Sequence, residues 1–510
     1  MPTSSNILAR IKATAEAQDD KKNVFVTSAG SVRYNELMAR IGQMAAALQD
    51  LGVTPGDRVT VQVEKSIDNA LLYLATLAVG AVYNPLNTAY TAPELDYFIG
   101  DAEPKLLVVS AAMKAELAKS AAAKAVAVIE TMEPDGSGTL RTRAKQIGPD
   151  RTPKLVDRAT DDLACLLYTS GTTGRSKGAM ITHGNLLSNA ETLIAYWGCT
   201  SKDVLLHALP IYHVHGLFVA LHTALVSGAT ILWHAKFDAN AFKKDLPRAT
   251  VIMGVPTFYT RLLDMPDFGK ADVPHLRLAV AGSAPLLAET HKAFEARTGI
   301  AIVERYGMTE TGMITSNPYH DGARVAGSVG FALPGVSIRI ADADGKVLPD
   351  GEVGVLEVKG PNVFKGYWRN PEKTREEFRQ DGYFITGDVA VRDKTGRVSI
   401  VGRAKDLIIS GGFNVYPKEI ETEIDALPGV GESAVIGVPH KDFGEGVVAV
   451  LTEAPGSKAP SEPEIIKTLQ ARLAKFKVPK RVFIVRELPR NAMGKVQKAE
   501  LRKTYGNTFA

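Results

Sequence analysis

Tyr168-Thr169-Ser170-Gly171-Thr172-Thr173-Gly174-Arg175-Ser176-Lys177-Gly178 is the stretch on which the reading of this chain turns. Before it, Leu163-Ala164-Cys165-Leu166-Leu167 is an apolar run of strand length, and after it Asn185 to Leu193 has helical spacing. A strand-to-helix loop built of hydroxyls, glycines and one lysine suits a polyphosphate. Glycines let backbone N–H groups approach the oxygens, hydroxyls donate further hydrogen bonds, and Lys177 supplies a point charge. The loop is not the P-loop of nucleotide-hydrolysing motors, in which Lys directly follows the second Gly and precedes Ser or Thr. Here Lys177 lies three residues after Gly174 and precedes Gly178. By composition alone the same residues also describe a solvent-facing turn.

Outward from the loop, residues 24–110 alternate strand-like and helix-like segments. Asn35 to Gln49 carries Leu37, Ile41 and Leu48 on one face and stops at Gly52; Asp68 to Val79 is an apolar helix stopped by Gly80. Strands are expected at Arg58–Val63 and Leu106–Val109, so the sheet is mainly parallel and covered by helices, with ligands at the carboxyl ends of strands. Residues 111–160 carry no sharp pattern. Further on, four strands deliver polar or glycine-rich loops: Val204–Leu209 into Pro210–Gly216, Thr250–Val255 into Pro256-Thr257, Leu276–Val280 into Ala281–Pro285, and Ile300–Glu304 into Arg305–Gly312. From about residue 325 short strands and turns suggest a small β lobe, a distorted barrel. An α+β pattern follows the boundary at Arg403-Ala404-Lys405-Asp406. There are no internal repeats.

Composition limits the function classes. A chain of 510 residues needs more than one core. A net charge of +4, with 60 basic against 56 acidic residues, gives no argument for nucleic acid and does not oppose an anionic cofactor. The two cysteines, Cys165 and Cys199, make no disulfide framework and favour a reducing compartment. No apolar run approaches the ~18 residues of a membrane span, and Met1 to Gln18 lacks the apolar block of a signal peptide. The expectation is a cytosolic protein with neither membrane nor nucleic-acid partners.

The phosphate-loop string resembles that of the adenylate-forming superfamily, which comprises acyl-CoA synthetases, aryl-CoA ligases, luciferases and peptide-synthetase adenylation domains. Four further motifs agree in order: Tyr306-Gly307-Met308-Thr309-Glu310, Thr386-Gly387-Asp388, Gly402-Arg403-Ala404-Lys405-Asp406 and Pro489 to Lys495, spaced Pro-x-x-x-x-Gly-Lys. The resemblance implies an α/β fold. A large N-terminal domain (1–403) of helix-covered sheets plus the β lobe would carry a small mobile α+β domain (404–510), hinged near Lys405. It implies ATP contacts from Thr169, Ser170, Gly171, Thr172, Thr173, Gly174 and Lys177, from Ser283 and Ala284, and from Glu304 through Thr309. Tyr306 would pack on the adenine, Thr309 meet the α-phosphate, Asp388 accept the ribose hydroxyls, and Arg403 lie near ribose or phosphate. Glu310 with Thr169 would hold Mg²⁺, a cation that takes hard oxygen ligands and keeps substrate phosphates in its shell. Lys495 would reach the carboxylate and α-phosphate, with Lys177, Thr309, Glu310 and His213 completing the catalytic set. Gly411, Gly412 and Phe413 would line the pantetheine path of CoA after the small domain turns.

The acid is read from the pocket. Arg305 stands where most relatives have a small or apolar residue, and Arg261 lies one helical turn past Pro256-Thr257. An arginine suits bidentate recognition of a carboxylate and is costly beside an alkyl tail; the alternative is that Arg305 pairs with Glu304 or another acid as scaffolding. Ser283, His215 and Met313 would complete a small polar pocket. Together with the segments Pro210–Gly216 and Arg324–Gly330, these residues resemble the malonyl-CoA synthetases. That implies an ATP-dependent malonate–CoA ligase, also acting on methylmalonate, whose distal carboxylate is held by Arg305 and Arg261. The rivals are a short- or medium-chain fatty acyl- or aryl-CoA ligase, an amino-acid adenylating enzyme, a luciferase-like oxygenase and an inactive scaffold. Intact Lys177, Glu310, Asp388 and Lys495 argue against the last. Lys495 is also a candidate target of a lysine acetyltransferase, since loss of its charge would stop adenylation.

Overall fold

The computed structural model describes residues 4–148, 154–169, 176–410, 413–441, 443–473, 475–491 and 494–509. Two large sheets carry most of the chain. In the six-stranded sheet the spatial order is Val128–Thr131, Leu106–Val109, Arg58–Gln62, Val82–Pro85, Leu163–Thr169 and Lys177–Thr182. All neighbours pair in parallel except the last two, which are antiparallel with Thr169 opposite Lys177. The expected strand before the phosphate loop is thus present, but the segment after the loop returns as a strand before the helix His183–Trp197 begins. Helical spacing from Asn185 onward gave no sign of it.

The nine-stranded sheet places Val303–Met308, Leu278–Ala281, Val251–Gly254, Val204–His207, Thr230–Trp233 and Asn23–Thr27 side by side. These pair in parallel throughout. The four strands expected to deliver polar loops are contiguous and co-directional, so their carboxyl ends open on one edge.

Between the sheets runs Ile67–Ala78, apolar on every side and buried from Asn69 to Ala78. A helix with no polar face has to be covered all round. Tyr73 shows how: its ring meets Tyr83 of the six-stranded sheet at 4.9 Å, while its hydroxyl pairs with His222 Nε2, 2.8 Å away, in a helix flanking the other sheet. The helix ends as expected, with Gly80 at φ 72°, a left-handed conformation that other residues enter only at a cost.

The β lobe is a four-stranded antiparallel sheet, Ser337–Ala341, Val353–Lys359, Phe384–Arg392 and Val398–Arg403. Its last strand is bridged to Gly330 rather than closing on its first. From Ile408 the chain builds separate cores around the hairpin Val430–His440 and Gly444–Glu453, joined in parallel by Arg481–Val485. Residues 111–160, unpatterned in the sequence, hold short helices and the edge strand Val128–Thr131. Among the described residues no helix is long and apolar enough to cross a membrane.

Candidate active site

The cleft is built where the carboxyl ends of the nine-stranded sheet face the β lobe and the C-terminal residues. Arg305, on the strand Val303–Met308, is only 5% exposed, and its guanidinium lies over Gly282, where an added Cβ would fall 2.3 Å from the guanidinium carbon. Its Nε and Nη2 are buried without a partner. Burial pushes Arg305 down to about 9, because a charge away from water lacks compensation. Glu304 does not supply it. Its carboxylate accepts from the Gly327 amide at 3.1 Å and pairs with His291 Nδ1 at 3.0 Å. The alternation of a strand explains why: Glu304 and Arg305 point to opposite faces. The scaffolding pair is therefore absent, and the Glu304 carboxylate, expected among the nucleotide contacts, is committed elsewhere.

Two histidines face the same end. His215 Nδ1 lies 3.2 Å from Ser283 Oγ, and His215 Nε2 and His213 Nδ1 are buried and unpartnered. Burial, with Arg305 adding repulsion to both, holds His215 well below the ordinary histidine range and His213 at about 3; Lys495 repels His213 as well. Both rings are neutral at pH 7. Ser283 adopts φ 72°, a strained conformation for a residue with a side chain. The Met313 Cε packs against Gly307, where a Cβ would meet it at 2.7 Å. Arg261 does not join this group: it is exposed on the helix Pro256–Leu263, with no ion pair among the described residues. Helical position placed it near the cleft, but a long side chain goes where packing sends it.

On the nucleotide side, the Tyr306 hydroxyl donates to Asp388 Oδ2, and Arg403 Nε meets Asp388 Oδ1 at 2.7 Å. Burial raises Asp388, against the lowering effect of Arg403, the Tyr306 hydroxyl, Lys495 and Lys405. Desolvation and the neighbouring Arg403 push the Lys495 ammonium below the ordinary lysine range, Asp388 and Glu310 oppose them, and Arg305 lowers it further. One lysine from the last twenty residues thus couples both ends of the site. It sits on a turn closed by Asn491, whose Oδ1 accepts from the Lys495 amide at 3.0 Å.

Two residues that sequence reasoning missed join the expected ones. Lys177 Nζ lies 3.3 Å from Glu377 and 4.8 Å from the centroid of the Tyr367 ring. The Tyr367 hydroxyl is 2.6 Å from Glu377 Oε2 and 3.2 Å from Glu310 Oε1. Lys177 and Glu310 therefore share one hydrogen-bonded chain. Nothing in the local sequence marks Tyr367 or Glu377, which lie about two hundred residues from Lys177. Burial raises the Glu310 carboxyl, the environment of an anion awaiting a cation. No cluster of three or more metal-ligating side chains occurs among the described residues, so a cation here would complete its shell from phosphates and water. Thr169 ends its strand opposite Lys177, and Thr309 and Ala284 are half-buried at the cleft. Ser170, Gly171, Thr172, Thr173 and Gly174, and Gly411 and Gly412, lie outside the described residues. Phe413 is described by its backbone alone, opposite Ser410. Lys405 lies in the short turn Ala404–Asp406, where desolvation pushes its ammonium below the ordinary lysine range.

Comparison with known proteins agrees with this geometry. The family model "AMP-binding enzyme" matches residues 11–368, and the model of its C-terminal domain matches residues 419–495. This chain belongs to the AMP-binding enzymes. Among solved AMP-binding enzymes, ATP-bound MatB from Rhodopseudomonas palustris is 55% identical over 100% of both chains, with a TM-score of 0.96. Apo MatB, at the same identity and coverage, gives 0.85, so the overall arrangement of this chain is nearer that of the ATP-bound structure. A malonate–CoA ligase of Arabidopsis thaliana is 35% identical over 99% of this chain and 88% of its own length. A feruloyl-CoA synthase of an Amycolatopsis species is 38% identical over 93% and 94%.

Proposed function

We propose that this AMP-binding enzyme is an ATP-dependent malonate–CoA ligase that also accepts methylmalonate. The observation that carries the reading is Arg305: a buried guanidinium with two unpartnered nitrogens and no acidic partner among the described residues. A buried cation is tolerated when a ligand supplies the counter-charge, and a guanidinium edge fits a planar carboxylate with two hydrogen bonds. An alkyl or aryl tail would leave that charge uncompensated. His215 and Ser283 complete the distal end, and Arg261, exposed at the rim, is a candidate second contact once an anion enters.

The chemistry follows from the other end. The free carboxylate of malonate attacks the α-phosphorus of ATP, the bond to the β-phosphate oxygen breaks and pyrophosphate leaves. Lys495 stabilises charge on the carboxylate and α-phosphate oxygens, while Lys177 holds the leaving phosphates, mostly by positioning and electrostatics. Glu310, with Thr169 nearby, would hold Mg²⁺ together with ATP oxygens, the ion supplying neutralisation of the phosphate charge. The C-terminal residues then turn about Lys405, withdrawing Lys495 and bringing the 411–413 segment to the acyl group. The sulfur of CoA attacks the acyl carbon, the carbon–oxygen bond to AMP breaks, and the thiol proton passes to solvent. Two faces of one small domain thus serve two half-reactions. Acetylation of Lys495 would reversibly stop the first. With two free cysteines, one of them buried, a reducing cytosolic compartment suits the enzyme.

The test is turnover of acetate, malonate, methylmalonate, succinate, octanoate and benzoate with ATP and CoA, wild type beside Arg305→Ala. Malonate is expected to lead, and the variant to lose about 2–5 kcal/mol of transition-state stabilisation on malonate. Preference for a monocarboxylate with an unaffected variant overturns the assignment of the acid.

A further inference from the structure

Lys65 lies in the link between the strand Arg58–Gln62 and the helix Ile67–Ala78, far in sequence from every motif above. It is 6% exposed and has no carboxylate partner among the described residues. Its Nζ instead reaches three acceptors: His207 Nδ1 at 2.8 Å, the His207 carbonyl at 2.9 Å and the His234 carbonyl at 2.7 Å. The ammonium also lies 4.2 Å from the centroid of the Trp233 ring. Burial pushes Lys65 well below the ordinary lysine range; the three acceptors, one for each donor of the ammonium form, and the aromatic face act against that shift. A lysine from the six-stranded sheet is thereby tied to the carboxyl ends of two strands of the nine-stranded sheet.

The ring it touches settles its own tautomer. His207 Nε2 lies 2.9 Å from the Gly216 carbonyl, which only accepts, so Nε2 carries the proton and Nδ1 is left to accept from Lys65. Gly216 ends the loop Pro210–Gly216, and its Cα side is pressed so closely on the Pro210 carbonyl that a Cβ would fall 2.1 Å from that oxygen. That loop carries His213 and His215, and the backbone beyond it opens as the π-helix His215–Ala220, a form with weak intrinsic stability that is retained where a site needs it.

We propose that Lys65 is a positioning residue for the acid-binding end of the cleft: it holds His207 in the tautomer that clamps the Gly216 carbonyl, and so fixes the loop that presents His213 and His215 beside Arg305. Burial and Lys65 both keep His207 well below the ordinary histidine range, which agrees with a ring that stays neutral and keeps one tautomer. The inference rests on the Arg305 pocket being the acid site.

The experiment is ¹⁵N-histidine NMR and steady-state kinetics on the full chain, comparing wild type with Lys65→Met, which fills similar space without donors. Loss of the donor leaves a buried acceptor unpaired, so KM for the preferred acid is expected to rise about tenfold, with KM for ATP changed by less than about twofold. In the same variant the His207 Nδ1 resonance is expected to lose its hydrogen-bonded shift. His207→Gln keeps an amide donor for Gly216 and a carbonyl acceptor for Lys65 and is expected to stay near wild type, whereas His207→Leu repeats the defect from the other side of the contact. An unchanged His207 signal, an unchanged KM for the acid, or equal rises for acid and ATP would overturn the proposal. A wrong assignment of malonate shows differently, as a wild-type preference for another acid, and the kinetics then use that acid.

Discussion

At the scale of single residues, the proposed acid specificity rests on one uncompensated charge. The Arg305 guanidinium can lie where it does because Gly282 lets it pack flat on the backbone of the neighbouring strand end. Gly282→Ala is therefore expected to displace the guanidinium, the movable end of a flexible side chain, rather than the sheet. Urea denaturation should show a stability change of about 1 kcal/mol or less, while KM for malonate rises at least about tenfold and KM for ATP stays put. A large stability loss with no change for malonate would place Arg305 outside acid recognition. The sequence singled out Arg305 because its residue type is wrong for an apolar pocket. It did not single out Gly282, because a glycine in a Gly-Ser-Ala turn has many uses, and only the three-dimensional neighbour chooses among them.

At the scale of elements, imidazoles buried on helices set a pH dependence. His183 begins the helix His183–Trp197 with both ring nitrogens buried and unpartnered, and desolvation, with Arg158 adding repulsion, lowers it to about 4. Desolvation lowers His222 to about 3. In the unfolded chain both bind a proton near pH 6.5, so the unfolded state is the more protonated between that value and the folded one. The stability they contribute is complete above pH 6.5 and is lost as pH falls, by about 1.4 kcal/mol per pH unit for each ring. Asp425, raised to about 6 by burial, acts in the opposite sense. Comparing wild type with His183→Leu by urea denaturation between pH 7 and 4.5 isolates one ring, and the variant is expected to show the shallower acid loss. The strands and glycine stops of residues 24–110 were legible as elements because their periodicity is local. The antiparallel return of Lys177–Thr182 was not, because strand pairing is a property of two segments.

At the scale of the whole molecule, residues near the C-terminus lie beside groups of the cleft that come from distant parts of the chain. Lys495 shares its electrostatic environment with Arg305, Arg403, Asp388 and Glu310, residues contributed by other parts of the chain. Lys495→Gln, which removes the charge as acetylation would, is expected to abolish malonate-dependent ATP–pyrophosphate exchange, with thioester formation from supplied malonyl-adenylate kept within about tenfold of wild type. Equal loss of both half-reactions would mean that Lys495 supports the fold or both conformations rather than the first step alone.

The reaction class was legible in the residues alone. Motifs such as Thr169 to Lys177, Tyr306 to Glu310 and Thr386 to Asp388 are short, and each needs particular atoms at particular spacing, so their residue types survive as a readable string. What only the tertiary structure decided is which side chains meet. It separated Glu304 from Arg305 onto opposite faces of one strand, left Arg261 exposed, joined Lys177 to Glu310 through Tyr367 and Glu377, and set Lys65 beneath His207. These are contacts between residues 10 to 200 positions apart in the chain, or between adjacent residues that diverge. Their energy depends on burial and on partners, and neither is a property of local sequence.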